Sequence, residues 1–440
     1  MSINAKRARA TTLPTLLWLS LTSTLSCGVD EVGYPPPTDA LYYPLGIAAH
    51  PEGRYLYVSS ASYDRLYNAS SLIAIDTQTH SLMSKTAVEL GLFSGELTLA
   101  SRGCEGGDAE CSPELLAYLP SRDEHSLTTF ILDASQGDSA RHIQCGQGLA
   151  EGGEGRRCAS AHVTVEAGET PMPKGPYALR AEGEHLYMTH LNAGVLTRWR
   201  VPSREEDSLG RPLFECKAST GNAHFVSVHP VSGDAFVSDR LGQRVQVVRA
   251  VERQEGGCKL SPQAPLLVTD KLVSGEGRGV AMSADGTRMY LASSFDGALR
   301  VYDVSIGSDG APRNALLAAI PVGRSANAVR VAGLRPDEHR ASTQAQGSAE
   351  RVVDARGGGL IYVTALEDGV VVVIDPQRLA VIARIKVGAS PHDVAFLPTD
   401  EGGLNAYVTN FKAHSVSVID VTEGSETRFQ VTHTIGGEGS

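Results

Sequence analysis

A spacing of 13 residues limits what this chain can fold into. It separates Tyr290 from Asp303, Tyr362 from Asp375 and Tyr407 from Asp420, and it also separates Phe236 from Arg249. Each interval joins two β-rich runs through a short polar stretch, as in "AYVTNFKAHSVSVIDV" (406–421). A constant separation of this kind predicts a fixed hairpin of strand, turn and strand. Two earlier copies are looser, with 19 residues from Tyr57 to Asp76 and 15 from Tyr118 to Asp133.

The first run of the hairpin occurs seven times: "LYVSS" (56–60), "LAYLPS" (116–121), "LYMTH" (186–190), "AFVSD" (235–239), "MYLAS" (289–293), "IYVTA" (361–365) and "AYVTN" (406–410). Most copies have another β run upstream, such as "GVAMSADGTR" (279–288) or "DVAFLPTDEGG" (393–403), and a fourth downstream, such as "AVIARIKVG" (380–388). Each copy therefore reads as four antiparallel strands. Seven such units predict an all-β chain folded as a seven-bladed β-propeller of four-stranded antiparallel blades. Radial closure also leaves few exposed strand edges, which a pair of stacked open sheets would not achieve.

The copies start 45 to 72 residues apart, and the shortest step matches one blade. The excess is expected in insertions near 92–114, 142–173, 203–220, 252–265 and 333–358, where the periodicity lapses. The ring is expected to span 41–440. Because seven full sets of four strands are present, the pattern leaves open how the ring is latched.

"YVTN" (407–410), "VSVIDV" (416–421) and the preceding "SPHDVAF" (390–396) resemble the YVTN-repeat β-propellers of bacteria and archaea. Those are secreted or envelope proteins, similar in shape to lactonase-like and quinoprotein-amine-dehydrogenase-like propellers. The likeness is strongest over 355–436, moderate at 274–304 and 44–76, and weak in the second and third copies. It implies the fold strongly and function weakly, because the motif residues are structural.

The N-terminus predicts export. Lys6, Arg7 and Arg9 precede a mostly apolar run, Leu13 to Leu25, that is too short for an ordinary membrane span. Cys27 after Ser26 resembles a bacterial lipoprotein signal, with 1–26 removed, Cys27 acylated and 27–40 a proline-stiffened tether; the alternative is an ordinary signal peptide. The expected location is the outer membrane or the periplasm, with the cell surface as a further option. Lipid is then the sole membrane contact. Setting Cys27 aside leaves Cys104, Cys111, Cys145, Cys158, Cys216 and Cys258, an even number suited to an oxidising compartment. Short loops favour Cys104–Cys111 and Cys145–Cys158, which leaves Cys216–Cys258.

Composition and motifs exclude more than they assign. With 39 basic and 50 acidic residues, there is no nucleic-acid-binding character. The chain lacks GxSxG, HExxH, Walker A and EF-hand patterns, and it lacks CxxC and CxxCH, so haem- or quinone-linked redox work is the weakest reading.

In a propeller the first strands line a central channel. Tyr177, Asn222, His224, Arg278, Asn327, Arg330, His392 and Asp393 stand at or near their starts and form the one constellation worth singling out. No cofactor is expected. Calcium or another divalent cation is the exception to consider, with Asn222, Asn327 and Asp393 as its oxygen donors. The simplest reading is a monomeric, non-catalytic binding or scaffold platform for an envelope protein, peptide or glycan. The alternative is a metal-assisted lactonase-type hydrolase working in the channel, with His392 and Asp393 as acid–base groups.

Overall fold

In a computed structural model, the residues described are 33–103, 113–146, 148–149, 156–242, 244–252, 257–267, 276–308, 310, 312–332 and 359–437. These described residues belong to one compact unit. Cys27, Cys104, Cys111 and the 333–358 insertion lie outside the described residues.

The described chain is a seven-bladed β-propeller, and each blade is built from consecutive sequence. The inner strands are Pro44–Ala49, Thr98–Arg102, Pro176–Glu182, Ala223–Val228, Gly277–Met282, Ala326–Val331 and Pro391–Pro398. Each pairs antiparallel with the second strand, which carries the repeated aromatic residue.

That aromatic residue explains the repeat. Tyr57, Tyr118, Tyr187, Phe236, Tyr290, Tyr362 and Tyr407 are all buried, and each belongs to a core cluster it shares with the following blade. Tyr362, for example, packs with Val394, Ala406 and Val408 of the seventh blade. Side chains two apart on a strand share a face. Tyr407 and Thr409 therefore face the next blade, while Val408 packs back on the blade before.

The hydroxyl two residues after the aromatic has its own task. Six of the seven inner strands carry a β-bulge after their first residue, for example between Pro391 and Val394. A bulge leaves backbone groups out of the ladder. In the seventh blade the Asp393 amide donates to Thr409 Oγ1 at 3.0 Å, and the same hydroxyl donates to Leu45 O of the first blade at 3.1 Å. Thr364 accepts from the Ala328 amide at 2.9 Å and donates to His392 O at 3.3 Å. Thr189 accepts from the Ala178 amide at 3.2 Å and donates to His224 O at 2.5 Å. One hydroxyl thus serves its own bulge and ties its blade to the next. The final Asn410 bonds Ser415 and Ser417 of the third strand, at 3.1 and 2.9 Å. Asp420 ends that strand by accepting from the Thr422 amide, and Asp303 and Asp375 do the same for Ser305 and Gln377. This is the short side-chain turn that Asp favours.

Ring closure needs no strand exchange. Leu41, Ile47, Leu56, Val58 and Ile73 of the first blade pack on Leu397, Tyr407, Val416 and Ile435 of the last. Gln78 Nε2 donates to Asp400 Oδ2 at 3.0 Å, and His80 stacks on His433 with ring centroids 4.0 Å apart.

Two disulfides fix the periphery. Cys216–Cys258 joins the outer strands of the third and fourth blades, Leu213–Ser219 and Cys258–Pro262. Cys145–Cys158 joins the outer edge of the second blade to a segment paired with the outer strand of the first.

The expected insertions are partly blade. Thr98–Arg102, Leu213–Ser219 and Cys258–Pro262 are strands within 92–114, 203–220 and 252–265. Their small, charged or cysteine residues disguise the alternation. The tether is also not free along its whole length, because Tyr34 pairs with Tyr67 through Tyr34 N to Leu66 O and Asn68 N to Tyr34 O, both at 2.9 Å.

Replacing Thr409 by Val keeps the shape and strands a buried amide and a buried carbonyl. Urea unfolding is expected to show a loss of about 2–3 kcal/mol, with Thr409→Ser recovering most of it. A Val variant as stable as the parent would contradict this role for the hydroxyl.

Candidate functional site

The bulge sets the geometry of the channel. Tyr177, His224, Arg278, Asn327 and His392 all occupy the second residue of an inner strand, the first bulged position. A bulge re-aims side chains, so one structural position in five blades supplies five of the residues anticipated from sequence. Tyr177 stacks on His224 at 5.0 Å with the planes 14° apart. Asn327 Nδ2 donates to His392 O at 3.0 Å. Asn222 is exposed and does not join this ring; its carbonyl accepts the Arg240 amide at 2.9 Å.

A second layer lies at the fifth residue of the same strands. Ala48, Ser227, Ala281 and Ala395 are small there, whereas Arg180 and Arg330 are long. The small residues leave a cavity of about 160 Å³, lined by all seven inner strands together with Glu96, Arg180, Arg330 and His50. That is space for on the order of ten waters or one small organic molecule.

Arg330 crosses this space. Its guanidinium lies 3.0 Å from Glu96 Oε1 of the second blade and 2.9 Å from Asp393 of the seventh. Glu96 is 7% exposed and Asp393 3%. Burial pushes the Glu96 carboxyl up to about 7, the Asp393 charge adds to the rise, and Arg330 pulls against it. Burial also raises Asp393, opposed by Arg330, by the Val394 amide bonded at 2.7 Å and by Arg180. Burial opposes the charge of Arg330, and the two carboxyls outweigh it, so its proton is held more firmly than usual. In the upper layer, burial and the nearby Arg278 and Arg330 bring His392 down to about 3. Burial and the neighbouring arginines hold His224 neutral. Burial and Glu96 lift Tyr177 to about 12. Two uncharged imidazoles thus sit above a cationic bridge.

The proposed cation donors do not converge on an ion. Asn222 is exposed, Asn327 donates Nδ2 to His392 O and keeps a buried, unpartnered Oδ1, and a guanidinium faces Asp393. Among the described residues no group of three or more His, Cys, Asp or Glu is placed to hold a metal. His392 and Asp393, the expected acid–base groups, are both buried, and Glu96 joins Asp393 as a second carboxyl that burial raises.

Glu96 and Arg180 are functional candidates that sequence reasoning missed. Glu96 precedes an inner strand that lies inside a supposed insertion. Pro120 stands where five of the other six second strands have a hydroxyl, the fifth blade having Ala292, and this inner strand lacks the bulge. Instead the Gly95 amide donates to Pro120 O, and the Glu96 amide donates to Tyr177 O at 2.9 Å. A Cβ at Gly95 would stand 2.1 Å from that carbonyl, so glycine is needed to bring Glu96 in. Pro120 was the available signal.

No family model matches this chain, and no curated protein matches it. Solved structures of similar fold include the periplasmic gluconolactonase of Pseudomonas aeruginosa (14% identity, TM-score 0.53, 80% of this chain and 88% of that one). Another is a protein from Lactobacillus plantarum (15%, 0.53, 84% and 92%). A third is a functionally unknown protein from Desulfotomaculum acetoxidans (9%, 0.50, 90% and 99%). At these identities the likeness is one of fold.

Arg330→Met leaves two buried carboxyls without their cation. Their folded pKa values then rise further above the unfolded ones, so the variant's stability is kept at low pH and lost as pH rises through the folded values. Urea unfolding is expected to show a deficit of about 3–5 kcal/mol at pH 8 that shrinks at pH 5. An equal deficit at both would refute the charge bridge.

Proposed function

We propose that the protein is an exported propeller that binds a small lactone in its central channel and hydrolyses it. One observation carries the reading: the buried Glu96 carboxyl, which burial raises, shares a small cavity with the guanidinium groups of Arg330 and Arg180. The gluconolactonase name of one structural neighbour supports the choice of substrate class.

The chemistry follows from the residues. Glu96 in its ionised form takes a proton from water as that water attacks the ring carbonyl. The developing oxyanion is stabilised by Arg330 or Arg180 in a dry cavity, where such charge stabilisation is strongest. The ring C–O bond then breaks, and the leaving oxygen recovers the proton from Glu96. Lactone and water give one hydroxy acid, whose carboxylate the arginines also favour.

Binding without turnover is the second reading, in which the channel or its rim serves as a platform for an envelope protein, peptide or glycan. It is favoured by Arg330, which already occupies Glu96 in the resting protein. The fold leaves room for either, since function sits on the site and not on the ring.

For export, the disulfides Cys145–Cys158 and Cys216–Cys258 support an oxidising compartment. Anchoring is assigned to lipid on Cys27. Among the described residues no helix is long and apolar enough to cross a membrane. Cys27→Ser is expected to move the protein from the membrane to the soluble fraction; unchanged fractionation would rule out the anchor.

Hydrolysis of δ-gluconolactone and related sugar lactones, followed by acid release, tests the reaction. The rate is expected to rise with pH through an apparent pKa near 7, with chelator having no effect, and Glu96→Gln to lose about 10²–10³-fold. Saturable lactone binding with no turnover would favour the platform. Absence of both would remove the channel as the site.

A further inference from the structure

We infer that the end of the ring where the inner strands begin is a membrane-docking face, held against the bilayer by the lipid on Cys27. The inference deepens the anchor assigned above and rests on it. Every blade has the same strand order, so the turns between second and third strands all stand at that end. Tyr63 and Leu66 occupy this turn in the first blade, Leu241 in the fourth and Phe295 in the fifth. Tyr63 is 59% exposed, Leu241 68% and Phe295 61%, and Leu66 is exposed beside them in sequence. Leu267, also exposed, ends the outer strand of the fourth blade at the same end, opposite Arg244. Turns at the other end carry one such residue among those described, Val231. Others, such as Leu316 and Ile382, lie on outer strands around the circumference. A lone exposed apolar residue is ordinary, whereas a set gathered on the turns of one end marks an interaction surface.

The occupant follows from the tether. Tyr34 is fixed beside this end, because its amide donates to Leu66 O and its carbonyl accepts from the Asn68 amide, both at 2.9 Å. Its own side chain is 71% exposed. Cys27 stands seven residues earlier. Even fully extended, that segment spans about 25 Å at most. This is therefore the end that a lipid on Cys27 holds nearest the bilayer.

Charge does not supply the contact. The same turns carry both signs, with Asp64, Asp123 and Glu124 beside Arg65, Arg122 and Lys412. Burial of the apolar tips in the headgroup region supplies it, and tyrosine suits that boundary through its apolar body and polar edge. Lipid is then not the sole membrane contact. The cavity reaches His50, Pro51 and Pro398 at the opposite end of the inner strands, so docking leaves that end of the channel facing solvent.

The test uses the lipidated full chain in phosphatidylcholine vesicles that contain brominated lipid. With 1–26 removed, the buried Trp199 is the one native tryptophan, so an added tryptophan reports its own site. Leu241→Trp and Phe295→Trp are each expected to lose half or more of the added emission to the bromines, and Val231→Trp less than a tenth. Adding Leu66→Asp and Leu241→Asp to the Phe295→Trp protein is expected to cut its quenching at least threefold while thermal stability holds. Protein that sediments with the vesicles yet shows no quenching at either turn, or equal quenching at Val231→Trp, would overturn the docking face and leave the anchor standing. Protein that does not sediment with the vesicles would remove the anchor, and the docking face with it.

Discussion

The structure depends on one strand face. In each copy the buried aromatic of the second strand packs against the next blade, and in most copies the hydroxyl two residues on lies beside it. The aromatic supplies apolar area to the interface, and the hydroxyl satisfies polar groups that the bulge takes out of the ladder. Neither substitutes for the other, since burying an unpaired amide offsets part of what ring burial contributes. At Thr409 the same pair closes the ring by reaching Leu45, so the contact type that builds most blade junctions also makes the final seam.

The bulge of the inner strand, held by a hydroxyl in most blades that carry it, is also the source of the site. It directs the second residue of the inner strand toward the channel, and that position holds Tyr177, His224, Arg278, Asn327 and His392. The second blade departs from the rule. Its inner strand is regular, Pro120 stands at the hydroxyl position, and Gly95 lets the chain approach Tyr177 closely enough to insert Glu96. A local break in a repeat is where a functional residue is expected, because the regular copies are committed to holding the ring.

The fold was legible because its signal is periodic. The 13-residue interval fixes a hairpin, and Asp303, Asp375 and Asp420 each close a third strand by the same turn. The channel candidates were legible for a related reason, as polar residues at equivalent strand starts. What the sequence hid is the pairing across the ring. Glu96 and Arg330 are 234 positions apart, and no local pattern links them. Asn222 stands just before its strand as expected, but it is exposed, one position short of the bulged residue that the other candidates occupy. The blade junction at the seam was equally hidden, since it is made by faces and not by an exchanged strand.

The central claim is that the channel holds a carboxyl brought near neutrality by burial and bridged by Arg330. The direct measurement is an infrared pH titration of the carboxyl band, taken as the difference between the wild-type protein and Glu96→Gln. A band that titrates near 7 and is absent from the variant is the result predicted here. A Glu96 band that titrates in the ordinary carboxylate range, near 4.3, would mean that the group is solvated and would contradict the account.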